Sequence, residues 1–141
     1  MGKALPIRAP EPLDTGRRHD PEVRKQMSAP AMRAFFNVAG AWQLSVKEQT
    51  ALLGHPPAST YHKYKSGQVG RLRHDMTVRS SRVLVIYKAL HILYPDDALA
   101  DRWVKLPNSN PLFGGEPALA RMAAGIDGLL EVRRLLDGRR G

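Results

Sequence analysis

The 141-residue sequence contains no cysteine, so disulfides, thiolate metal sites and thiol nucleophiles are all excluded. That absence fits a reducing compartment such as the cytoplasm. Aromatic residues make up only 6% of the chain. Acidic residues are scarce beside basic ones, 13 against 22, which leaves a net charge of +9. The five histidines show no H-x-x-x-H spacing, which argues against a metal centre, and His74 and His91 have no nearby ligand partner. Ser80-Ser81 has no base at a suggestive spacing, and Gly114-Gly115 does not sit in a strand–helix phosphate loop. No catalytic residue, cofactor or metal is therefore expected, and the chain does not read as an enzyme. The N-terminus has no signal-peptide apolar region, because Pro6, Pro10, Glu11 and Pro12 interrupt it.

The one long apolar run is Arg82 to Tyr94, RVLVIYKALHILY. It is too short and too interrupted to cross a membrane. β-branched Val83, Val85 and Ile86 would suit a strand, but length favours a helix reaching back to Thr77 as N-cap. Pro95 stops it. Being apolar on nearly all sides, this helix must be covered from more than one direction. It reads as a core shared by a front module and a back module. Val83, Ile86, Leu90 and Leu93 are candidates for that core or for a dimer interface.

Charge divides the chain in the same way. Residues 1–94 hold 15 Lys/Arg against 6 Asp/Glu, whereas residues 95–141 hold 7 of each. A basic front and a neutral back suggest a polyanion partner for the front.

Residues 1–27 read as a basic tail with scattered prolines and little apolar periodicity. Residues 28–76 read as a DNA-binding module. A helix is predicted after Pro30, with Met32, Phe35, Phe36, Val38 and Trp42 on its apolar face. Ser45 and Glu48 then form an S-x-x-E capping box for a helix that Gly54 ends, with Val46, Gln49, Thr50 and Leu53 along one side. Pro57 opens a second helix, Ala58 to Ser66, closed by Gly67. Two short helices about a Gly-containing turn make a helix-turn-helix pattern. Ser59, Thr60 and His62 are suited to base edges, and Lys63, Lys65, Arg71 and Arg73 to phosphates, while Tyr61 and Tyr64 pack backward. Arg79 and Arg82 are further candidates for phosphate contact.

Residues 77–141 complete the back module. Asp96 or Asp97 caps a helix containing Trp103; a loop carries Leu112 and Phe113; two helices follow, Pro117–Ala124 and Ile126–Asp137. Gly138 is expected to end the last helix and let Arg139, Arg140 and Gly141 extend outward.

The order YKALHILYPD, a tryptophan, LPNSNPLFGGEPALARM, a Gly-containing break and LLEVRRLLDGRRG resembles the Xre/MbcA/ParS antitoxins. LSVKEQTALLG…STYHKYKSG is similar to the Xre-type helix-turn-helix of the same proteins. His55, Pro56 and Tyr64 depart from that pattern: an aliphatic and a small polar residue are usual in the turn, and tryptophan is common at the third position. The resemblance implies an all-α fold in which the helix-turn-helix joins a small toxin-binding module through the central helix. It also implies a type II antitoxin that neutralises an NAD-consuming RES-type toxin and represses its own operon. Trp103, Leu112, Phe113, Arg139, Arg140 and Gly141 would then face the toxin. The expected partners are that toxin, operator DNA and at least one further copy of the chain, with no membrane. The alternative is a stand-alone repressor whose back half only dimerises.

Overall fold

The computed structural model describes residues 21–140, with side chains from residue 28 onward. The fold is all-α. In chain order the helices are α1 (Pro21–Ala41), α2 (Val46–Leu52), α3 (Ala58–Lys65), α4 (His74–Leu93) and α5 (Asp97–Arg102), then a 3-10 turn (Trp103–Lys105), α6 (Ala118–Ala124) and α7 (Ile126–Arg139).

Helix α1 buries Met32, Phe35, Val38 and Ala39, spaced for one helix face, and Trp42 directly after it is buried too. It starts earlier than the sequence suggests, running straight through Pro30. Proline has no N–H for the carbonyl four residues before it, so local preference favours a start there. Just before Pro30, the buried Ser28 hydroxyl accepts a hydrogen bond from the Leu72 amide at 3.2 Å, a contact distant in sequence. Residues 1–20 of the expected basic tail lie outside the described residues.

The capping box of α2 forms as its sequence requires. The Ser45 hydroxyl accepts from the Glu48 amide, and the Glu48 carboxylate accepts from the Ser45 amide at 2.8 Å. Gln49, Leu52 and Leu53 form the buried side of this segment, and Val46 is exposed. The turn that follows needs left-handed backbone at two successive residues, Gly54 (φ +86°) and His55 (φ +59°). Pro57 is the N-cap of α3, one position earlier than the sequence pattern placed it.

Helix α4 begins at His74, not after Thr77, whose hydroxyl donates back to the Arg73 carbonyl at 3.2 Å. The N-cap residue, Arg73, makes no side-chain capping bond, and Leu72 just before it is buried. Met76, Ser80, Val83, Ile86, Ala89 and Leu90 are buried. Helices α1, α5 and α7 all pack on α4. Of the positions weighed as a dimer interface, Val83, Ile86 and Leu90 are therefore consumed inside one chain, and Leu93 is half-buried. Ile92 is left 57% exposed.

Beyond Pro95, the Asp96 carboxylate caps α5 through the amides of Ala98 and Leu99. The loop from Leu106 to Pro117 is held by two Asn turns, in which Asn108 and Asn110 each accept from the amide two residues on, and by a bridge between Pro107 and Pro117. A single buried cluster runs from Met32 to Leu136, so front and back share one core.

Candidate functional site

Helix α3 is clamped onto α2 by a buried polar pair. The Tyr61 hydroxyl donates to Gln49 Oε1 at 2.7 Å, and Gln49 Nε2 donates to the Leu44 carbonyl at 3.0 Å. Each polar group has a partner, which offsets the cost of burying the pair. Burial pushes the Tyr61 phenol pKa up, keeping it a donor. With Tyr61 facing inward and Tyr64 half-buried, Ser59, His62, Lys63 and Lys65 project outward together, while Thr60 is half-buried. Lys65 lies 4.9 Å over the Phe36 ring, and the His62 ring meets Tyr61 edge-on at 5.2 Å.

The loop to α4 continues directly from this helix, with the Gln68 amide donating to the Lys63 carbonyl at 2.9 Å. Arg71 and Arg73 are exposed on it. Arg73 also lies 3.6 Å from Asp75, which offsets part of its charge. Lys63, Lys65, Arg71 and Arg73 are thus all exposed along one stretch of chain, from α3 into the loop that follows it.

Arg79 and Arg82, expected at phosphates, turn inward instead. The Arg79 side chain is 18% exposed and lies beneath the α2–α3 turn, where a Cβ on Gly54 would come within 2.9 Å of its Nε. Arg82 donates to the Ile126 carbonyl at 3.1 Å, tying α4 to the first turn of α7. Lys105 provides a further tie, reaching the Gln43 carbonyl and lying 3.6 Å from Glu48. The Glu48 carboxyl pKa is lowered, chiefly by the Ser45 amide; burial opposes this and the Lys105 charge assists.

At the back of the molecule, Trp103 and Phe113 meet edge-to-face at 6.2 Å and are only 7% and 6% exposed. They hold the loop to the 3-10 turn and leave little of their own surface open. Leu112 stays half-exposed, and Leu106 on the same loop is exposed. Arg139 is still helical, because α7 runs through Gly138 rather than stopping there. Its guanidinium donates to the Tyr94 hydroxyl at 3.3 Å, and Arg140 lies 3.7 Å from Asp137. Both arginines are exposed; Gly141 lies outside the described residues.

The sequence hid one cluster altogether. His91 Nδ1 lies 3.1 Å from Asp97 and Nε2 2.7 Å from Asp101, across the Pro95 corner. No group of three or more His, Cys, Asp or Glu suited to a metal occurs among the described residues. No helix among them is long and apolar enough to cross a membrane.

Residues 21–85 match the family model for the antitoxin Xre-like helix-turn-helix domain, and residues 89–141 that for the antitoxin Xre/MbcA/ParS C-terminal toxin-binding domain. The chain belongs to the Xre/MbcA/ParS antitoxins. Neither matched domain is an enzyme. The antitoxin is 40% identical over 111 residues to the uncharacterised protein y4oB of Sinorhizobium fredii (strain NBRC 101917 / NGR234), covering 78% of this chain and 84% of that one. No solved structure matches it. The first matched region ends inside α4 and the second begins four residues later, also inside α4. The central helix of the antitoxin is therefore continuous across both.

Proposed function

We propose that this antitoxin neutralises a RES-type, NAD-consuming toxin through its C-terminal half and represses its own operon through α2 and α3, acting in the cytoplasm. The observation that carries this reading is the pairing of two elements on one core. A clamped helix displays Ser59, His62, Lys63 and Lys65 outward, and a separate C-terminal module matches a toxin-binding family. On this reading α3 lies in the major groove, with Ser59, Thr60 and His62 toward bases and Lys63, Lys65, Arg71 and Arg73 toward phosphates. Arg79 and Arg82 are assigned no phosphate. Of the expected toxin-facing residues, Leu112, Arg139, Arg140 and Gly141 are retained as direct contacts; Trp103 and Phe113 act by shaping the loop beneath them. The operator-binding form is at least a dimer, because helix-turn-helix proteins commonly read paired half-sites. A concentration-independent monomer in sedimentation would count against that assembly.

The toxin half of this reading is tested by co-expressing the chain with the product of the neighbouring gene. Co-purification with loss of NAD consumption is expected. A neighbour that binds nothing and consumes no NAD would leave the stand-alone repressor as the better reading. The DNA half is tested by salt. Each lost phosphate contact should flatten the dependence of log affinity on log salt by about one unit. Operator titrations of Lys63→Ala and Arg71→Ala across salt concentrations should each show that change, and unchanged slopes would remove both residues from the interface.

A further inference from the structure

We propose that His91 is a proton-operated latch that holds α5 against α4. His91 lies in the last turn of α4, and the chain turns at Pro95 directly after it. Its two ring nitrogens face two different carboxylates, Asp97 at 3.1 Å and Asp101 at 2.7 Å, both on α5. A neutral imidazole has one N–H and can satisfy only one of them; the imidazolium has two and satisfies both. Loss of the proton therefore breaks one bond and turns a ring lone pair toward a carboxylate.

Asp101 and Asp97 are the charges that act on the ring. Tyr87, on the same helix, packs against the His91 ring with centroids 4.4 Å apart and planes tilted by 46°, and Trp42, just past the end of α1, lies against Tyr87 at 6.3 Å. Arg139 of α7 reaches Tyr94 rather than the His91 ring, and Glu48 of α2 is engaged by Lys105. The His91 and Asp101 side chains are 21% and 27% exposed, so water is a poor substitute at that bond, whereas Asp97 is 87% exposed and its bond is the one water can replace. Burial alone would lower the His91 pKa, but the hydrogen bonds and charges of Asp101 and Asp97 outweigh it and raise it.

The sign follows from that direction. Because the folded pKa is raised, the protonated ring prefers the docked α5. The latch is fully closed below the unfolded value of about 6.5 and opens as pH rises through the higher folded value. Linkage is reciprocal: whatever factor docking gives to proton affinity, the proton gives to docking. Helix α5 leads into the 3-10 turn, which carries Trp103 to Phe113 and Lys105 to Gln43 and Glu48. The latch thus bears on the contact between the back module and the N-terminus of α2.

Amide hydrogen exchange of the full chain between about pH 5.5 and 8.5, corrected for intrinsic exchange, tests this over the range where histidine titrates. Protection of the Ala100 to Trp103 amides should fall about tenfold for each unit by which the His91 pKa, followed by NMR of its ring protons, exceeds that in Asp97→Asn/Asp101→Asn. Protection at Val83 and Ile86 should not change, and His91→Gln should show no pH dependence in α5. Should either variant fail to fold, the wild-type profile alone decides. PH-independent α5 protection in the wild type overturns the latch, as does an equal pH-dependent loss at Val83 and Ile86.

Discussion

Gly128→Ala is expected to lower the stability of the antitoxin by about 3 kcal/mol or more, one of the larger effects a single methyl group can have. Gly128 is the third residue of α7 and is buried. A Cβ there would lie 1.9 Å from the Arg121 carbonyl oxygen and 2.8 Å from its carbon. These are backbone atoms of α6, so no side chain can swing aside to make room. Helix α7 would have to move away from α6, yet Leu129, Val132 and Leu136 on the same helix are fully buried against the shared core. Gly125 alone separates the two helices, so the shift cannot be spread over a loop. Gly138 in the same helix has nothing within 4 Å of its would-be Cβ. Gly138→Ala should accordingly be neutral or stabilise by up to about 1 kcal/mol, through helix propensity and a less flexible unfolded chain. Thermal unfolding of the two variants beside the wild type makes the comparison. A Gly128→Ala midpoint equal to that of Gly138→Ala would show that the α6–α7 crossing relaxes at little cost.

Features set by neighbours in the chain were legible in the sequence. The Ser45–Glu48 box spans three residues, and its hydrogen bonds form as the pattern implies. The α2–α3 pair, the closing Gly67 and the shared helix α4 likewise follow from caps and apolar periodicity. What failed to show depends on partners distant in the chain or on direction. Ser28, inside the early part of α1, meets Leu72 from 44 residues away. Arginines at 79 and 82 were visible as charge, but not as inward-facing: one lies under Gly54 and the other on Ile126. An aromatic in a Pro- and Gly-rich loop can point either way, and Trp103 and Phe113 turn toward each other. His91 finds its carboxylates only after the chain reverses at Pro95, so no helical spacing could reveal them.

Removing Arg139, Arg140 and Gly141 is expected to restore toxin activity while leaving the fold and operator binding intact. This prediction rests on the proposed toxin partner. Helix α7 continues to Arg139 with Arg140 as its C-cap, so both arginines are held at a helix end rather than trailing from Gly138. Two cations at a helix C-terminus complement its partial negative charge, which gives these arginines an ordinary stabilising role worth about 0.3–1 kcal/mol. Their partners do not confine them. The Arg139 bond to Tyr94 is long and exposed, and the Arg140 pair with Asp137 is exposed on both sides. Exposed pairs of this kind contribute little, about 0–1 kcal/mol, and can be exchanged for a carboxylate on another protein. An NAD site must accommodate a pyrophosphate, and a catalytic acid beside it would accept a bidentate arginine. The helix-cap role and the toxin-facing role differ in what truncation changes. A pure cap would lower the unfolding midpoint slightly and leave neutralisation whole. A toxin-facing end would leave the midpoint almost unmoved and lose inhibition of NAD consumption at equal stoichiometry. Tyr94→Phe separates them further: it removes the tether but keeps both charges, so inhibition should persist. If the truncated chain still inhibits fully at equal stoichiometry, neutralisation lies in the loop around Leu112 and the terminus serves only to close the helix.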